Sequence, residues 1–124
     1  MPDRAERNEY RVESIARRHR PVCAIAGSAH HASAKGGVIS LTRSIAREFG
    51  PLGIRANVIC PAMAQTGMLN DISEAQLNQI CATIPLRRLA LPSEVAGACL
   101  FLASDLSSFV TGATLDVNGG LHIH

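Results

Sequence analysis

The sequence predicts an α/β fold built on a parallel sheet, and three observations carry that prediction. A helix is legible up to Phe49, because Val38, Leu41, Ile45 and Phe49 fall three and four residues apart, with Ala34 one turn earlier. Gly50-Pro51 and Gly53 then stop it. A strand pattern follows at once: Ile54, Ala56, Val58 and Cys60 alternate with Arg55, Asn57 and Ile59 until Pro61. Helix, tight turn and strand in this order form the repeating unit of a parallel sheet with covering helices.

Composition narrows the class. A chain of 124 residues is one domain at most. It is 47% hydrophobic, and no apolar run approaches the roughly 18 residues that would suggest a membrane span, so a soluble globular chain is expected. The opening residues contain no apolar signal-like region, which makes a cytoplasmic setting the expectation. A formal charge of +2 is too small to suggest a nucleic-acid partner. Cys23, Cys60, Cys81 and Cys99 stand singly in apolar surroundings without CxxC spacing, and read as small buried hydrophobes.

The charge is unevenly distributed. Residues 1–20 hold six arginines and four acidic residues, whereas basic and acidic residues balance at six each from Pro21 onward. The first twenty residues are therefore expected to be a charged leader, either a solvated helix or a loose tail, with a boundary near Pro21. Residues 21–120 would form the domain, and residues 121–124 a short tail. Val22-Cys23-Ala24-Ile25-Ala26 has the length of a buried strand. Small residues crowd the first half of the long helix, including Gly36 and Gly37. Each helical glycine costs about 1 kcal/mol relative to alanine, so close packing against a backbone or a ligand is the expected compensation. Lys35, the only lysine in the chain, sits among them, either as a solvated charge or as a cation placed for an anion or a ribose.

Beyond the first strand pattern, Ala62-Met63-Ala64-Gln65-Thr66-Gly67-Met68 lies just past a strand's carboxyl end, where open α/β sheets bind ligands. Ser73-Glu74-Ala75-Gln76 is a capping box that opens a helix to about Ala82, with Leu69, Ile72, Leu77 and Ile80 facing inward. Pro92-Ser93 reads as a second N-cap, with Val95, Cys99 and Leu102 as the helix stripe behind it. Asp105, Ser107 and Ser108 make a turn, and Ala113 to Val117 form a last strand closed by Asn118-Gly119-Gly120. His30, His31, His122 and His124 invite a metal reading, but no acidic or cysteine partner stands at ligand spacing, so no metal site is assigned.

The run from Lys35-Gly-Gly-Val-Ile-Ser-Leu-Thr-Arg-Ser-Ile-Ala-Arg-Glu-Phe-Gly-Pro-Leu-Gly through Ile-Arg-Ala-Asn-Val-Ile-Cys-Pro61 resembles the short-chain dehydrogenase/reductase (SDR) family, from its active-site helix into the next strand. Pro85-Leu-Arg-Arg-Leu, Pro92-Ser-Glu-Val-Ala, Phe101-Leu-Ala-Ser-Asp and Thr111-Gly-Ala-Thr-Leu-Asp-Val-Asn-Gly-Gly120 resemble its C-terminal region, in order and at fitting spacing. The look is that of the branch containing 3-oxoacyl-carrier-protein reductases and sugar or polyol dehydrogenases.

The resemblance implies hydride transfer between NAD or NADP and a carbonyl or secondary alcohol. The family's Tyr-x-x-x-Lys pair places lysine one helical turn from tyrosine. The lysine lowers the phenol pKa and holds the cofactor ribose, and the tyrosine exchanges the proton. Lys35 occupies the lysine position here, and His31 stands where the family has tyrosine. His31 is either a working acid/base or a pocket-lining or inert residue. The segment of Pro61, Ala62, Met63 and Thr66 corresponds to the family's contacts to the nicotinamide carboxamide and cofactor phosphates, although Ala62 replaces the usual glycine. Without the resemblance it is an ordinary connecting loop. The helix opened by Ser73 corresponds to the family's substrate lid, or is simply a packed cover.

No glycine-rich strand-to-helix turn precedes Lys35, and residues 1–30 contain one glycine, Gly27. The expectation is therefore the C-terminal half of a Rossmann-like doubly wound parallel sheet, incomplete and tending to associate, as a homo-oligomer or with another SDR chain. No catalytic serine is assigned, since Ser14 and Ser28 precede His31 by unsuitable spacings. A truncated NAD(P)-dependent oxidoreductase, weak or inactive by itself, is the leading expectation. The alternatives are a non-catalytic module that pairs with complete family subunits, and an open-reading-frame fragment.

Overall fold

The computed structural model of the protein describes residues 11–15 and 29–123. Three parallel strands lie among the described residues, β1 (Arg11–Ile15), β2 (Arg55–Pro61) and β3 (Thr114–Val117), in the spatial order β1-β2-β3. Arg11 pairs with Arg55 and Ile15 with Ile59, while Val58 pairs with Thr114 and Pro61 with Val117. All three strands thus point their carboxyl ends the same way. The strand at Arg11–Ile15 corrects the expectation of a solvated helix or loose tail for the opening twenty residues at those five positions. Its alternating charges gave no apolar signal, and ladder pairing with β2 outweighs the local pattern. The strand expected at Val22–Ala26 lies outside the described residues.

Helix α1 (Ala29–Phe49) packs across β2. Ile39 forms the centre of the core with Val58 and Cys60, and Val38 packs against it. Farther along the helix, Ala46 abuts Gly112, where an added Cβ would stand 3.5 Å from the alanine methyl. The Gly112 N–H in turn donates to the Ala56 carbonyl at 2.7 Å. The end of α1 therefore lies over the start of β2, and the beginning of α1 lies toward its carboxyl end.

The buried line of α1 is Ile39, Thr42 and Ala46, not the expected stripe of Val38, Leu41, Ile45 and Phe49. Leu41 is 60% exposed, and Val38 and Ile45 are only half-buried. The small side chains of Thr42 and Ala46 let the helix approach the sheet closely, which rotates the larger ones to the flank. Thr42 tolerates burial because its hydroxyl donates to the Val38 carbonyl at 2.8 Å. An added Cβ at Gly36 or Gly37 would meet nothing within 4 Å, so the close packing expected there is absent from the described chain.

After α1, residues Gly50–Leu52 form a 3₁₀ turn closed by Gly53, whose φ of +80° is a conformation that glycine adopts without a steric penalty. Strand β2 is buried on both faces from Ala56 to Pro61. Its apparent alternation does not mark a solvent side, as befits a strand flanked by two others and covered by α1. Cys60 is buried, and Cys81 and Cys99 are half-buried.

Two helices complete the described chain. Helix α2 (Glu74–Thr83) starts at the expected capping box: Gln76 N–H donates to Ser73 Oγ at 3.3 Å, and Ser73 N–H donates to Gln76 Oε1 at 3.1 Å. Helix α3 (Pro92–Ala103) starts two residues earlier than a Ser93 cap would allow. Its cap position is Leu91, which has no side-chain acceptor. Glu94 bends back instead and accepts the Leu91 N–H at 2.7 Å, and Pro92 fits the first helical position because it has no N–H to satisfy.

Candidate active site at the carboxyl edge of the sheet

Beyond Pro61 the chain stays extended along the carboxyl edge of the sheet. Ala62 N–H donates to the Val117 carbonyl at 3.1 Å, Ala90 N–H to the Met63 carbonyl at 3.2 Å, and Gln65 N–H to the Ala90 carbonyl at 2.8 Å. Ala64 forms a parallel bridge with Ala90. Pro61 and Ala62 are buried under this ladder, while Met63 and Thr66 are half-buried. Thr66 opens a short 3₁₀ turn (Gly67–Leu69) without using its hydroxyl to cap it.

A cavity of about 490 Å³ lies beside this segment. Met63 forms one wall, helix α2 presents Gln76, Gln79, Ile80 and Thr83, and Ile84 and Leu121 complete it with Ile72. Ile84 is held in place from behind by Gly119. With φ +61° at that residue, an added Cβ would stand 2.8 Å from the isoleucine methyl. Leu86 N–H also donates to the Gly119 carbonyl at 3.2 Å, tying the loop after α2 to the turn after β3.

His31 and Lys35 lie in the first two turns of α1, at the end of the helix directed toward the carboxyl edge of β2. Four residues apart, they share one helix face with Cβ atoms about 5–6 Å apart. Lys35 is half-buried and His31 exposed. The structure thus brings Pro61, Ala62, Met63 and Thr66 into one continuous segment and sets the His31–Lys35 pair at the same end of the sheet. Of the expected inward residues, Ile72 and Ile80 line the cavity directly, and Leu69 and Leu77 are half-buried nearby in the chain.

Sequence reasoning missed the polar lining. Gln76, Gln79 or Ile80, and Thr83 repeat at three- and four-residue spacing, so one face of α2 was legible once a cavity was known to lie beneath it. Leu121 and Ile84 gave no such signal, because only the turn at Gly119 brings them together.

A second, smaller cleft of about 230 Å³ includes Arg88, Glu94 and Asp116. Arg88 grips Glu94 with both guanidinium nitrogens, at 2.6 and 2.7 Å. The Arg88 hydrogen bond, followed by the Leu91 N–H, lowers the Glu94 pKa from 4.5 to about 2. Among the described residues no group of three or more His, Cys, Asp or Glu could hold a metal ion. No described helix is long and apolar enough to cross a membrane.

Comparison with known proteins gives this geometry its lineage. A family model described as Enoyl-(Acyl carrier protein) reductase matches residues 18–122. An uncharacterized short-chain type dehydrogenase/reductase, y4mP of Sinorhizobium fredii, is 48% identical over 101 residues, covering 81% of this chain and 40% of that protein. The chain belongs to the short-chain dehydrogenase/reductase family. The 3-oxoacyl-(acyl-carrier-protein) reductase FabG of Salmonella typhimurium is 44% identical over 98 residues, covering 79% of this chain and again 40% of the relative. The crystal structure of a short chain dehydrogenase/reductase family oxidoreductase from Burkholderia thailandensis superposes with a TM-score of 0.80 at 37% identity. It covers 90% of this SDR chain and 43% of its own. The chain therefore spans about two fifths of the curated relatives it matches. Its three described parallel strands and their covering helices are a partial Rossmann-like α/β fold.

Proposed function

We propose that this SDR chain carries the proton-handling and nicotinamide side of a hydride-transfer site acting on a carbonyl or secondary alcohol with NAD or NADP. The observation that carries the reading is the pairing of His31 and Lys35, one helical turn apart, at the same sheet edge as the Pro61–Thr66 segment. The name of the Salmonella relative, a 3-oxoacyl-(acyl-carrier-protein) reductase, supports a carbonyl substrate, and a cytoplasmic setting belongs to the same proposal.

The residues fit one end of the implied dinucleotide. Ala62 and Gln65 have committed their N–H groups to the ladder, whereas the Thr66 hydroxyl does not cap its turn. Thr66 and Met63 would therefore hold the nicotinamide end beside buried Pro61 and Ala62. Lys35 would hold the adjacent ribose as a half-buried cation. When bound, the nicotinamide supplies or accepts the hydride. His31 handles the accompanying proton, a task for which its imidazole is shorter than the family's phenol.

The test is titration of the full chain with reduced NADH and NADPH, following cofactor fluorescence, together with carbonyl-reductase assays. Lys35→Met should abolish cofactor binding. His31→Tyr should raise reductase activity on the order of a hundredfold, the low end of what a positioned general acid contributes. Wild-type activity that survives His31→Ala undiminished would remove His31 as the acid/base. Absence of binding by either cofactor would remove the whole reading.

A second reading draws on the flank of α1, where Leu41 is 60% and neighbouring Leu52 71% exposed. These residues favour a module that associates with copies of itself or with complete family subunits. Defined assembly without cofactor binding would support it over the first.

A further inference from the structure

We infer that the cavity beneath helix α2 receives the uncharged, mainly apolar end of the substrate, remote from its reacting carbonyl, and rejects molecules that carry a carboxylate or phosphate there. This rests on the proposed reading that the chain handles a carbonyl compound. It adds the chemistry of the remainder of that compound.

The lining carries the inference. Met63, Ile72, Ile80, Ile84 and Leu121 supply an apolar wall, and no charged side chain joins it among the described residues. The polar members are neutral and partly committed. The Thr83 hydroxyl donates to the Ile80 carbonyl at 2.7 Å. Gln76 uses its side-chain oxygen in the capping box, accepting from Ser73 N–H and Oγ at 3.1 and 3.0 Å. What Gln76 can offer a ligand is its NH₂ group, a donor suited to an uncharged acceptor oxygen.

An anion placed here would lose its water without finding a cation, a cost that burial imposes on any unpaired charge. The cationic residues of the neighbourhood are committed elsewhere. Arg88 is locked to Glu94 in the other cleft, and Arg87 donates to the Ala82 carbonyl at 2.6 Å. A volume of about 490 Å³ falls within the range of small-molecule pockets, roughly 300–1,000 Å³.

The chain has no tryptophan, so Gln79→Trp at the exposed rim of the cavity provides a single indole reporter. Two probes share one reacting end and one length: octan-2-one, and 7-oxooctanoate, which carries a carboxylate at the far end. Octan-2-one should shift the indole emission to the blue, and 7-oxooctanoate should bind about tenfold or more weakly. Ile80→Arg in the same background should weaken octan-2-one and strengthen 7-oxooctanoate.

Comparable affinity for the two probes, no response to octan-2-one, or indifference of both to Ile80→Arg would each overturn the inference. Because the indole titrations use no cofactor and turnover is read in the separate reductase assay with NADH or NADPH, the two outcomes are distinguishable. Selective binding without turnover leaves the ligand class standing and sinks the activity, whereas turnover of both ketones alike does the reverse.

Discussion

Asn57 sits in the middle of β2 with 1% of its surface exposed, a position where a polar side chain has to be matched on both ends. Its Nδ2 donates to the Val110 carbonyl and its Oδ1 accepts from Ala113 N–H, each at 3.0 Å. Arg55, two residues earlier, donates to the Val110 and Leu102 carbonyls at 3.1 and 2.8 Å. Together they pin the segment after α3 against the central strand and so set the start of β3. Asn57→Ala would leave the Val110 carbonyl to Arg55 alone and orphan the Ala113 N–H, at a cost of about 1–3 kcal/mol. A loss of about 1–3 kcal/mol is therefore expected, read as a lower urea midpoint with an unchanged slope. Ser107 plays a similar part, fully buried with its hydroxyl donating to the Leu102 carbonyl at 2.9 Å.

At the scale of elements, the start of α3 depends on a charge pair. Glu94 accepts the Leu91 N–H at the helix N-terminus and two bonds from Arg88, which fastens the preceding loop to the helix. A carboxylate here is also favoured by the positive end of the helix dipole. The folded-state pKa, about 2, lies below the ordinary 4.5, so the contribution is fully present above about pH 4.5. It is lost as the pH falls from there toward 2. The melting temperature of the wild type should fall across that interval, and Glu94→Gln should flatten this part of the profile while lowering the plateau above it. Both groups are exposed, so high salt should shrink the difference.

At the scale of the whole molecule, the packing of α1 leaves a consequence on the surface. Leu41, Ile45 and Phe49 stand four residues apart on one flank, with Leu41 60% and Phe49 36% exposed and Leu52 beyond them at 71%. Such a row, beside a helix half rich in small residues, is the surface through which the proposed association would run. The purified chain should elute from size exclusion above its 13.1 kDa monomer mass. Leu41→Glu should shift it toward that mass with little loss of helix content by circular dichroism, since the side chain lies off the buried line of Ile39, Thr42 and Ala46.

Local pattern determined a good deal of this protein. The long helix and its stop at Gly53, the capping box at Ser73, the strand ending at Pro61 and the His31–Lys35 spacing depend on neighbours a few residues apart, and the sequence contains all of them. Three things waited for the tertiary structure. Which face of α1 is buried depends on how closely small Thr42 and Ala46 let the helix approach the sheet. Arg11–Ile15 becomes a strand because β2 offers it a ladder, against its own charged pattern. The cavity exists because the turn at Gly119 sets Leu121 beside Ile84 and a face of α2, both distant from it in the chain. Contacts made across such separations leave no periodic trace in the residues that make them.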